Sequence, residues 1–143
     1  MTTADAQHSA QYHQMTIELL TPVVQSTSSS PSPDFATRPS LATDLSSSIS
    51  VLSTLIFSYD RQYPSDPIPF GFLSPLALLC NLAIHALVGT GLIIDDPVFH
   101  LRLTAGMIGR MVKAFPVAGQ RLSELRATAD AWGVAEAKEV FIN

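Results

Sequence analysis

From Phe70 to Ile94 the sequence carries no Asp, Glu, Lys or Arg. Such a run is either a membrane span or the buried centre of a helical body, and the choice constrains everything around it. Ser74-Pro75 is a helix-start signature: the serine caps, and the proline takes the first position, where a missing N–H costs nothing. The helix therefore starts at Pro75 and reaches Ile93 at most, with Gly89 and Gly91 ending or fraying it. Asn81 and His85 in its middle need polar partners in lipid. The flanks lack anchoring basic residues, since Arg61 is distant and Asp95 and Asp96 are acidic. These features favour a helix at 75–93 buried on most sides. The alternative is a small membrane-associated protein with one helix at 75–93.

Length and composition sharpen this reading. A chain of 143 residues fits a single helical domain, or a domain fragment, spanning 1–143. Charged residues make up only 14% of it, against about 25% in typical domains, so apolar helix faces must be covered by a partner, by further sequence or by lipid. With net charge -4 and no large basic patch, the chain is not expected to bind nucleic acid directly. The one cysteine, Cys80, makes neither an internal disulfide nor a cysteine-rich zinc site, which points to a reducing compartment. The first residues, "MTTADAQHSAQYHQ", do not form a secretory signal.

Apolar spacing elsewhere predicts four more helices. The first, capped by Thr3, runs from Ala4 to Leu20, with Tyr12, Met15 and Leu19 on one face and Pro22 as its stop. A flexible Ser/Pro-rich loop at 25–40, "QSTSSSPSPDFATRPS", follows. Thr43 caps a second helix from Asp44 to Tyr63, on which Leu45, Ile49, Leu52, Ile56, Tyr59 and Tyr63 share a face. Asp96-Pro97 starts the fourth, with Val98, Leu101, Ala105, Ile108, Val112 and Phe115 in register, and Pro116 breaks it. The fifth, from Val117 to Trp132, aligns Ala118, Leu122, Leu125, Ala129 and Trp132 and ends at Gly133. Leu101, Ile108, Val112 and Leu122 are expected in the core. The tail at 134–143 adds at most a short helix. No run alternates as a strand does. The fold class is all-α, an irregular bundle of about five helices with a Ser/Pro-rich loop between the first two.

No catalytic signature emerges. Gly89-Thr90-Gly91 follows a helix and lacks the spacing and lysine of a phosphate loop. His8 and His13, five apart, lie on different helical faces, and Cys80 and His85 lack a third metal ligand. Asp95 and Asp96 are adjacent and point apart, and capping accounts for Asp96. No serine has the nucleophile-elbow pattern. Arg102, Arg110, Lys113, Arg121 and Arg126 form a mild basic excess that reads as a solvated face, or at most as a surface for an acidic partner. Catalytic, cofactor and metal residues are therefore expected to be none.

In order, these pieces resemble the C-terminal part of the regulatory, or middle-homology, region of fungal zinc-cluster transcription factors. Tyr12, His13, Ile17, Leu19, Leu20 and Pro22 match a helix of that region, with Thr21 where arginine is usual. A serine-rich loop follows. Then come a helix ending near "YDRQYP" (Tyr59 to Pro64), an apolar helix like "LALLCNLAIHAL" (Leu76 to Leu87), and a closing helix pair like "FHLRLTAGMIGRMVKAFPVAGQRLSEL" (Phe99 to Leu125), with Phe115 where tryptophan is usual. The DNA-binding six-cysteine cluster has no counterpart, and the N-terminal half of the region is missing. The resemblance implies a nuclear, all-helical, non-enzymatic fragment that controls transcription, including that of secondary metabolism, through a protein partner or self-association by apolar helix faces. Without the resemblance the chain reads as cytoplasmic. A small-molecule-binding helical domain, with a pocket near His85, is a further alternative.

Overall fold

The structure, a computed structural model, describes residues 3–28, 38–64, 67–89 and 94–141. It is all-α: α1 (Thr3–Ser28), α2 (Arg38–Gln62), a 3₁₀ turn (Phe70–Phe72), α3 (Leu73–Leu87), α4 (Pro97–Met111), α5 (Pro116–Ala131) and the short α6 (Ala135–Val140). Among the described residues there is no strand. The sequence reading treats 1–143 as one domain or fragment. Internal contacts divide the chain into two compact units, Met1–Ser58 and Tyr59–Asn143, with the boundary inside α2.

In the first unit both helices outrun their expected limits. α1 continues through Pro22 instead of stopping there. The proline gives up its backbone bond to the Glu18 carbonyl. Just before it, the Thr21 hydroxyl donates to the Ile17 carbonyl at 2.6 Å, a back-bond that eases a helix into a bend. α2 begins at Arg38, so Thr43 lies within it and is not its cap. The helices thus take 25–28 and 38–40 from the expected loop, and residues 29–37 lie outside the described residues. The inward face of α2 follows its spacing, with Leu45, Ile49, Leu52 and Ile56 buried. On α1 the buried residues are Ala6, Ala10 and Ile17, and the face that carries Tyr12, Met15 and Leu19 is exposed.

The second unit is built on α3, which packs most extensively on α4 and also on α5, while α5 and α6 pack on α4. Leu76, Leu79, Ile84, Leu101, Met107, Ile108 and Met111 are fully buried and form its core; each such side chain contributes roughly 1.5–3 kcal/mol by leaving water. The start of α3 corrects the expected Ser74 cap. Phe72 holds that position, and the 3₁₀ turn leads straight into the helix. Pro75 is tolerated at the third helical position because the first four N–H groups of a helix lack intrahelical partners in any case. At the other end Gly89 adopts φ +73, the left-handed conformation that ends a helix, so α3 stops at Leu87, short of the expected Ile93.

α3 is not apolar all round. Ser74, Leu78, Asn81 and His85 fall at intervals of four, three and four and, with Ala86 and Leu87 in the last turn, are its exposed or half-buried residues, whereas Leu73, Pro75, Leu76, Ala77, Leu79, Cys80, Leu82, Ala83 and Ile84 are buried. Its few polar groups share one stripe. The window Phe70–Leu87 is long and apolar enough to cross a membrane, with mean hydropathy 1.7, but 56% of it is buried inside the protein.

The start of α4 and both ends of α5 follow their signals closely, while α4 ends at Met111, short of the expected Phe115. Asp96, at φ 51, caps α4 by accepting from the Phe99 amide at 3.3 Å, and Pro97 follows. Phe115 is extended, as the residue before a proline tends to be, and Pro116 opens α5. α5 ends in a Schellman motif. Gly133 at φ +68 donates to the Asp130 carbonyl (3.1 Å), and Val134 donates to the Ala129 carbonyl (3.0 Å), with Val134 and Ala129 buried together. Two core expectations fail here: Val112 lies past the end of α4 and is 36% exposed, and Leu122 is half-buried.

Candidate functional site

The structure keeps apart the residues that chemistry would need together. Cys80 is fully buried, and burial pushes its thiol up to about 11 from 9.0, an effect only partly opposed by a hydrogen bond with Thr104. The Thr104 hydroxyl in turn donates to the His100 carbonyl at 2.7 Å. A thiol held protonated in this way is no nucleophile near neutral pH. His85 is engaged elsewhere, edge-on to Trp132 with ring centroids 4.4 Å apart. Asp95 and Asp96 are both exposed. Asp96 is occupied with helix capping, and its carbonyl lies 3.0 Å from His100 Nδ1. His8 is exposed and His13 half-buried, with the Nδ1 of His13 enclosed and lacking a hydrogen-bond partner. Among the described residues no three His, Cys, Asp or Glu side chains gather to hold a metal. Gly91 lies outside the described residues.

The basic excess of the closing helices is mostly neutralised. Arg110 donates to Asp60 at 2.6 Å and to the Tyr63 carbonyl at 3.2 Å, tying the end of α2 to α4 within the second unit. Arg102 pairs with Glu139 (3.3 Å), Arg121 with Glu124 (3.4 Å) and Arg126 with Asp130 (3.9 Å). These last three are exposed pairs, each contributing at most about 1 kcal/mol. Lys113 is exposed and makes no ion pair among the described residues.

What remains distinctive is surface. On α1, Tyr12, Met15 and Leu19 are 66%, 62% and 70% exposed. Their three- and four-residue spacing aligns them opposite the buried Ala6, Ala10 and Ile17. The sequence shows that these three share a face but not that the fold turns it outward. The deciding signal is the small pair Ala6 and Ala10, which allows close packing on the other side. A second apolar patch lies at the α4–α5 corner, where Phe70 packs on Phe115 at 5.2 Å and Val112 and Val117 are exposed. A third feature is an open groove of about 510 Å³ along α2, bordered by Ser47, Ser50, Val51, Thr54, Leu55 and Ser58. The polar side chains among its described lining residues are hydroxyls.

A scan against protein-family models and searches of curated proteins and of solved structures give no significant match to this chain.

Proposed function

We propose that this chain is a non-enzymatic helical module that works by protein–protein contact, as part of or derived from the regulatory region of a fungal zinc-cluster transcription factor. It acts in the nucleus without touching DNA itself. One observation carries the contact reading: α1 presents Tyr12, Met15 and Leu19 to solvent while its opposite face is already buried. Large side chains aligned at helical spacing on an outward face are the usual anchors of helix-mediated recognition. The transcriptional part rests on the order of motifs from Tyr12 to Leu125. Phe70–Leu87 belongs to the protein interior in this reading, given its burial and the polar Asn81 and His85 within it.

Purified chain without detergent tests the proposal. It should bind a hydrophobic dye and sediment as a concentration-dependent mixture. It should also show no saturable DNA binding at low salt, where contacts to phosphates are strongest. A stable monomer that ignores the dye would sink the contact reading. Solubility only in detergent, with Phe70–Leu87 protected from protease in vesicles, would favour the membrane alternative.

A further inference from the structure

We draw no further inference here: the strongest candidate, the apolar surface patch at the α4–α5 corner where Phe70 packs on Phe115 beside exposed Val112 and Val117, is an unpartnered face, and nothing in the structure shows what covers it.

Discussion

Several hydroxyl groups on these helices are satisfied within their own turns. Thr16 donates to the Tyr12 carbonyl, Ser53 to Ile49, Thr104 to His100 and Thr128 to Glu124, each one turn back. Back-bonds of this kind let a chain poor in charge carry serines and threonines through its helices. Cys80 shows what deeper burial does to a less satisfied group. Its thiol is raised from 9.0 to about 11 by burial. The folded state therefore holds its proton more tightly than the unfolded state. The resulting stabilisation is complete below pH 9 and is lost as pH rises from 9 towards 11. Denaturant titrations across that window should show a decline that is smaller in Cys80→Ala, and thiol reagents at pH 8 should modify Cys80 only in the unfolded chain. Two glycine sites separate backbone conformation from packing. A Cβ at Gly133 meets nothing within 4 Å, but φ is +68, so Gly133→Ala should cost about 1 kcal/mol through conformation alone. Gly106 has equally open surroundings within α4 and an ordinary helical φ, and Gly106→Ala should stabilise by about 0.5–1 kcal/mol. Equal effects of opposite sign in thermal melts would confirm the assignment.

At the scale of elements, the second unit is tied together by α4. Arg110 reaches from it to Asp60 and to the Tyr63 carbonyl, two different acceptors that a guanidinium spans and an ammonium does not. Arg110→Ala should cost about 1–2 kcal/mol in chemical denaturation, and Arg110→Lys should recover little of it. Leu101, fully buried, should cost about 2–5 kcal/mol as alanine, and Val112→Ala less than about 1 kcal/mol. The contrast between Leu101 and Val112 shows where the sequence could be read and where it could not. Proline and glycine punctuation located the start of α4 and both ends of α5 almost to the residue, because capping is local chemistry carried by Asp96-Pro97, Phe115-Pro116 and Gly133, but α4 ends at Met111, four residues short of the expected Phe115. Pro22 and Pro75 misled, because a proline's cost depends on its position in the helix and on neighbouring back-bonds, which spacing does not reveal. The α2 face from Leu45 to Ile56 was legible since only one apolar stripe exists there. α1 has two, and choosing the buried one needed the fold. Val112 lay in register with Ile108, yet α4 ended one residue before it. The candidate surface suffered the same ambiguity: its residues were grouped correctly by period, and their exposure was not.

The whole molecule consists of two units that share a helix, with the boundary between Ser58 and Tyr59 inside α2. A dye-binding isotherm that saturates on the native chain and is reduced by Leu19→Asp is expected from the exposed α1 face, and an unchanged isotherm would move the main apolar surface elsewhere. The single tryptophan of the chain is a natural reporter for only one of the units. Trp132 is the C-cap of α5 and lies against His85 of α3, so its fluorescence senses the packing of α3 with α5 in the unit Tyr59–Asn143. Far-ultraviolet dichroism, by contrast, sums every helix, the long α1 and α2 included. Melting curves from the two signals will coincide if the units unfold as one cooperative block and separate if each melts alone. Intrinsic emission thereby isolates the transition of the second unit in the unmodified protein, with no label required.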